Sequence, residues 1–510
     1  MFFRLGRYLP WLFWEVVMSL AARLSDPRLF RQYAYVNGRW AHSEAGREES
    51  VIDPATDEVI GRIPVLEAAQ IHAAIDAADA AFAAWRALRA EERAERLMAW
   101  RNLMLDYRED LALIMSFEQG KSMADARGEV EYGASFVHWF AEEGKRAYGQ
   151  TLPSHIPNAA LGTIKEPVGI AALITPWNFP LAMITRKAGA ALAAGCPVIV
   201  KPASETPFSA LALAELAERA NIPSGIFNVV LGDAAEVSQI LCNEERIKAL
   251  SFTGSTRVGK LLLEQSAGTV KRVSLELGGN APFIVGPDMD PREAAMAAVD
   301  AKFQTSGQDC LAANRILVHA SIHDEFVTHF TERMQALVVG NGRDSETHLG
   351  PLIHAKAVEK AAAIVDDAVS RGATLVAGDQ SEAPGANFFM PTLLTGVTSD
   401  MMVWREENFA PVAGITPYND DDEVITMAND TEYGLAAYAY THDIRRIWKL
   451  LRGLEFGMVS VNSVKMTGPV VPFGGVKQSG LGREGGPTGI DEYLETKYYC
   501  LGALPSVSGS

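Results

Sequence analysis

Three side-chain types that work on carbonyl compounds stand in short, unusual stretches of this chain. Cys310 closes Phe303-Gln304-Thr305-Ser306-Gly307-Gln308-Asp309-Cys310, Asn178 lies within Pro176-Trp177-Asn178-Phe179-Pro180, and Glu276 within Leu275-Glu276-Leu277-Gly278-Gly279. A thiol can attack a carbonyl carbon, an amide can donate to the oxygen that becomes negative, and a carboxylate can draw a proton from water. A fourth stretch, Phe252-Thr253-Gly254-Ser255, puts Gly and Ser where a strand turns into a helix, a place suited to pyrophosphate. Each has a plainer reading alone. A free Cys is usually a small buried hydrophobe, an Asn between prolines a turn residue, and a Glu at a strand end a solvated or paired group. Read jointly, the four outweigh those readings.

Such groups need elements to hold them. From Gly169 onward strands and helices alternate: Ile170 to Ile174 is a compact apolar run, and Leu181 to Ala194 is helical up to Gly195, a natural C-cap. Val198 to Val200 is a buried strand, and Thr206-Pro207 is an N-cap and N1 pair for a helix through Ala220. Strands over Phe227–Leu231, Leu250–Phe252 and Val273–Leu277 alternate with helices over Ala234–Cys242 and Thr256–Ala267. This pattern predicts a parallel sheet with helices on both faces. It repeats from Pro282 to Asn462, which predicts a second α/β domain. Upstream, Val36 to Trp40 reads as a hairpin, Val51 to Ile63 as extended, and Leu66 to Met115 as helical; the tail from Glu492 to Leu501 reads as a strand.

Composition narrows the partners. The 510 residues are 48% hydrophobic and 21% charged with a net charge of −17, which argues against nucleic acid and anionic membrane as partners. Cys196, Cys242, Cys310 and Cys500 form no C-x-x-C and no zinc-finger spacing, so no metal site is expected and a reduced, cytoplasmic compartment is. Met1 to Leu20 carries Arg4 and Arg7 before an apolar run broken by Pro10 and Glu15. It is too short and interrupted to span a membrane, and reads as an interfacial helix or as residues ahead of a true start near Met18. Gly480-Leu481-Gly482-Arg483-Glu484-Gly485 matches the dinucleotide fingerprint by letter, but Pro472-Phe473-Gly474-Gly475 precedes it and Pro487 follows, so it reads as a loop.

In combination and order, the four stretches resemble the aldehyde dehydrogenase superfamily from about Leu29 to Leu501. The resemblance implies an α/β fold of two doubly wound domains, one nucleotide-binding and one catalytic, plus a β oligomerisation arm. Residues 1–28 would be an N-terminal extension, 29–144 and 163–276 the nucleotide-binding domain, 277–476 the catalytic domain, and 145–162 with 488–503 the arm. Cys310 is then the nucleophile, Asn178 with the nucleophile's own N–H the oxyanion donors, and Glu276 the base that activates water against the acyl thioester. The cofactor is NADP or NAD. Thr175, Pro176, Trp177, Lys201, Ser204, Gly254, Ser255, Leu277, Glu407 and Phe409 match its binding residues, with Ala410 where the family usually has Gly. Ser204 stands where NAD-preferring relatives often have Glu, so a 2′-phosphate is not repelled and Lys201 is free to pair it. A small aldehyde is the expected substrate and a homodimer or homotetramer the expected assembly.

Within the superfamily the chain is most similar to succinate-semialdehyde dehydrogenases, through Met183 to Lys187, Pro472 to Gly485 and Asp491 to Glu495. That branch holds its substrate's carboxylate with two arginines. Arg186 matches one; Gln304, in Lys302-Phe303-Gln304-Thr305, stands in place of the other, Asp309 replaces a neutral residue, and Ala312 replaces a second cysteine. Asp309 would repel an anion and raise the thiol pKa. Two readings stand: Arg186 with Lys465 still holds a carboxylate while Asp309 points away, or the pocket has been re-purposed for a neutral, aromatic, aliphatic or amino aldehyde.

Overall fold

Residues 20–502 are described by the structure, a computed structural model. The apolar run that begins at Tyr8 lies outside them except for Leu20. Five strands of the first sheet are parallel, in the spatial order Arg272–Glu276, Ile247–Thr253, Ile170–Ile174, Val198–Lys201 and Phe227–Val229. Gly480–Leu481 adds an antiparallel edge on one side, and the hairpin Ala34–Val36/Arg39–Ala41 adds one on the other. All five residues of Ile170–Ile174 are buried, as in a sheet covered on both faces. From Ile170–Ile174 the chain winds to one side through Val198–Lys201, and to the other through Ile247–Thr253. The crevice between the carboxyl ends of Ile170–Ile174 and Ile247–Thr253 is therefore a topological switch point, where open α/β sheets bind ligands. Thr175-Pro176-Trp177 and Gly254-Ser255 are the residues that emerge there.

The second sheet has seven strands in the order Thr374–Ala377, Thr392–Thr395, Val412–Tyr418, Ala313–His319, Ala281–Val285, Ala436–Tyr440 and Met458–Val461. Ala313–His319 is its centre, and the Cys310 loop runs straight into it. A third sheet pairs the tail Leu494–Leu501 with Ala160–Pro167, whose other side pairs with Thr151–Leu152. This pairing continues to Pro167, past residue 162, because Leu494 still meets Pro167 in register.

The helical reading from Leu66 resolves into Ala68–Ala87, Ala90–Asp106 and Arg108–Gln119. Sequence reasoning missed the next helix, Met123–Glu143, which packs on Ala182–Ala194 and proves central to the site. All of Ala182–Ala194 is buried, and it ends at Gly195 with φ 103°, a left-handed cap that suits Gly. Thr206 precedes the helix Pro207–Arg219 as expected, but its hydroxyl does not cap it. The Glu118 carboxylate does so from another helix, accepting from Phe208 and Ser209 N–H at 2.6 and 2.9 Å. The loop reading of the Gly480 motif agrees with the structure: Gly480–Leu481 pairs antiparallel with Leu275 and Glu276, and no helix opens from it. Among the described residues no helix is long and apolar enough to cross a membrane.

Candidate active site

One cavity of about 1130 Å³ joins the two sheets, and Pro176, Trp177, Asn178, Cys310, Glu407 and Phe409 all line it. Asn178 is buried, and its Nδ2 donates to the Gln308 carbonyl at 3.0 Å, two residues before Cys310. That bond ties the amide to the thiol's own loop. The loop around Asn178 is held from below by Lys121, whose buried ammonium donates to the Asn178 carbonyl at 2.7 Å and to Glu129 at 2.5 Å. Glu129 in turn accepts from Leu181 and Ala182 N–H at 2.9 and 3.0 Å, capping the helix that follows. Lys121 and Glu129 went unread in the sequence. Their only signal was two charges in a stretch whose helix had not been recognised.

Cys310 is half-buried and follows three consecutive left-handed residues, Thr305, Ser306 and Gly307, with φ of 48, 57 and 72°. For Thr and Ser such backbone costs about 1–3 kcal/mol each, and it persists where surrounding bonds over-determine it. Here Ser306 Oγ donates to Gly350 O at 2.8 Å, and Gln308 Oε1 accepts from Ile353 N–H at 3.0 Å. Gly279 presses on the same loop: a Cβ there would lie 2.3 Å from the Cys310 carbonyl oxygen. Burial pushes the Cys310 thiol well above its usual pKa, and the Asp309 and Glu407 carboxylates push it further.

Glu276 ends the strand Arg272–Glu276 with only 2% exposure, and neither carboxylate oxygen has a hydrogen-bond partner. Its carboxyl faces Gly474, where a Cβ would come within 2.9 Å of Oε1, so that glycine leaves it room. Burial, then the nearby Glu484, raises its pKa well above the carboxylate range. Glu484 itself is saturated. It accepts from Arg186 Nε at 2.5 Å, from Lys187 Nζ and from Ser251 Oγ at 3.2 Å. Burial would raise its pKa, and the two cations together outweigh that and hold it down.

At the switch point, Ser255 caps the helix Thr256–Ser266 by accepting from Val258 N–H at 3.4 Å, beside Gly254. The buried hydroxyls of Thr175 and Thr253 have no partner. Trp177 and Phe409 meet edge to face at 5.5 Å, and Glu407 Oε1 accepts from Gly279 N–H at 2.9 Å. Burial raises Glu407 to about 7. Leu277 lines the same wall. Lys201, the last residue of Val198–Lys201, and Ser204 just after it are not on the cavity wall; Lys201 is buried, donates to Pro202 O at 2.9 Å, and has no salt-bridge partner among the described residues. A helix N-terminus, orphaned hydroxyls and a groove leading to Cys310 fit a dinucleotide.

The four expected substrate residues, Arg186, Gln304, Asp309 and Lys465, all line the cavity. Arg186 is not a free cation: besides Glu484, its guanidinium lies 4.0 Å over the Phe473 ring. The Tyr132 hydroxyl bridges toward Thr467 and Arg186. Gln304 and Lys465 are exposed at the mouth. Asp309 does not point away: it lines the cavity, with Oδ1 accepting from Leu311 N–H at 3.0 Å.

Residues 40–499 match the aldehyde dehydrogenase family model. The chain is 82% identical to an aspartate-semialdehyde dehydrogenase (non-phosphorylating) of Halomonas elongata, over 97% of this chain and all of that protein. It is 50% identical to a succinate-semialdehyde dehydrogenase [NADP(+)] of Escherichia coli, over 94% of this chain and 100% of that one. A crystal structure of an NADP dependent enzyme from E. coli superposes with a TM-score of 0.93 at 50% identity, covering 94% of this chain and 100% of that one. With Cys310 and Asn178 on one cavity between two α/β sheets, and Glu276 buried just behind the wall that Leu277 and Gly278 form, the chain belongs to the aldehyde dehydrogenase family.

Proposed function

We propose that this chain oxidises aspartate semialdehyde to aspartate with NADP or NAD, releasing the acid by hydrolysis rather than as an acyl phosphate. As a family member it is an NAD(P)-dependent enzyme that oxidises an aldehyde, here a semialdehyde, to the acid. The observation that carries the reaction class is the Asn178 amide tied to the Cys310 loop at the floor of one cavity. Cys310 loses its proton and bonds to the aldehyde carbon, giving a thiohemiacetal. Asn178 Nδ2 and the Cys310 N–H are the donors assigned to its oxygen, worth roughly 100- to 1,000-fold each. A nicotinamide dinucleotide, when bound, would supply the acceptor for the hydride. Gly254 and Ser255 would hold its pyrophosphate, Glu407 and Phe409 its nicotinamide end, Thr175, Pro176, Trp177 and Leu277 its flank, and Lys201 with Ser204 its adenosine ribose. Glu276 then draws a proton from the water that cleaves the thioester. Having no hydrogen bond to break, it is free to turn toward the acyl group.

The named substrate rests on the 82% identical relative. Arg186, shared with Glu484 but facing the cavity, is the carboxylate holder, aided by Lys465 at the mouth. A second reading, succinate semialdehyde, is favoured by the same Arg186 and the E. coli relative. Steady-state kcat/KM for both semialdehydes and both cofactors decides between them: a tenfold preference, about 1.4 kcal/mol, names the substrate. Reduction of neither cofactor by either aldehyde would sink both readings.

We assign 29–144 and 168–276 to nucleotide binding, 277–476 to catalysis, and 145–167 with 488–502 to an oligomerisation arm, the boundary following the strand Ala160–Pro167. A homodimer or homotetramer is supported by the edge strand Leu494–Leu501, which exposes Tyr498, Tyr499 and Leu501. A cytoplasmic location agrees with four free cysteines.

A further inference from the structure

We propose that Asp309 holds the ammonium group of an amino semialdehyde, and that it sets this chain's preference for the amino substrate over its desamino analogue. This rests on the semialdehyde reading above and adds the residue that would choose between the two substrates named there.

Three observations converge. Asp309 faces the substrate cavity directly before the nucleophile, and the Leu311 N–H fixes its carboxylate through Oδ1. It has no salt-bridge partner among the described residues. Of the cations whose fields couple to it, Lys121 is committed to Glu129 and Arg186 to Glu484, while buried Lys302 donates to the Asn314 and Asn408 amides and makes no direct ion pair with it. A buried carboxylate without a direct ion pair on a cavity wall disfavours an anionic ligand and is better held once a cation seats on it.

The substrate supplies that cation. In an α-amino semialdehyde of four carbons, the ammonium nitrogen and the carboxylate carbon are each three bonds from the aldehyde carbon. Once Cys310 bonds to that carbon, the ammonium lies four bonds from the sulfur and the carboxylate oxygens five, on the same substrate carbon. The cavity offers an anion, Asp309, and a cation, Arg186, on its wall, and Gln304 beside them is neutral. Such a pair matches a zwitterion and mismatches a plain carboxylate. A second consequence follows for the nucleophile. Around Cys310 stand Asp309, Glu407 and Glu276, which oppose the thiolate, and Arg186, which favours it. An ammonium seated on Asp309 cancels part of that opposition as the substrate arrives.

The test is Asp309→Asn in the full chain, because the Asn carbonyl still accepts from Leu311 N–H and preserves the turn. Wild type should favour L-aspartate semialdehyde over succinate semialdehyde. The variant should lose about 30-fold or more in kcat/KM for the amino substrate while keeping or gaining activity on the other. Alkylation of Cys310 by iodoacetamide should move to lower pH in the variant, since an opposing anion is gone. An equal loss on both substrates, or an unmoved alkylation profile, would show a merely structural Asp309 and overturn the inference. If both proteins favour the amino substrate to the same extent, Asp309 fails and the proposed function stands. If wild type favours succinate semialdehyde, the named substrate and this role fall together.

Discussion

Glu484 and Glu276 are buried carboxylates of one cluster, and they are treated in opposite ways. Glu484 accepts from Arg186, Lys187 and Ser251, whereas Glu276 accepts from nothing. The same division recurs around the cavity. Glu129 is filled by Lys121 and two helix N–H groups, while Asp309 accepts from Leu311 N–H and has no ion-pair partner among the described residues. Lys187 is paired, while Lys201 has only a carbonyl. Buried polar groups are nearly always satisfied, so the saturated members read as scaffold and the open ones as groups awaiting substrate, water or cofactor.

The sharpest way to test that division is to neutralise the open carboxylate. Glu276→Gln should lower steady-state turnover by about 100- to 10,000-fold, while a first burst of reduced cofactor survives because thiohemiacetal formation does not need the base. Wild-type turnover should also fall on acidification at a pH above the usual carboxylate range. The proposed base acts only when ionised, and its pKa is raised by burial and by Glu484. A lost burst would place Glu276 before hydride transfer instead.

Neutralising the saturated partner should read out as stability. Glu484→Gln leaves Arg186 and Lys187 buried with their shared anion gone, a loss of about 3–5 kcal/mol. Denaturant unfolding at fixed protein concentration measures it. A variant as stable as wild type would break the claim that this cluster is scaffold.

The smallest effect is expected at the open cation. Ser204→Glu offers Lys201 a carboxylate, which would bond a free ribose and repel a 2′-phosphate. The kcat/KM ratio of NADP to NAD should fall by about tenfold, roughly 1.4 kcal/mol. An unchanged ratio would remove Lys201 and Ser204 from the cofactor site.

Much of the fold was legible because buried parallel strands are short apolar runs and helices between them carry their own stops, as Gly195 does. Long-range substitutions for local signals were not. Thr206 looked like a cap, and Glu118, far away in the chain, does the capping. The helix Met123–Glu143 mixes charges with small residues, so its buried Glu129 gave no periodic sign of what it holds.

By itself, then, the sequence determined the chemistry available: a thiol, an amide and a carboxylate in ordered motifs, on two runs of alternating strands and helices. Residue type and local periodicity suffice for that. Only the tertiary structure decided how each charge is used. It turned Asp309 into the cavity, placed Arg186 on both Glu484 and the cavity wall, and left Glu276 without a partner. Pairing and burial depend on which distant side chains meet, and no spacing along the chain records that.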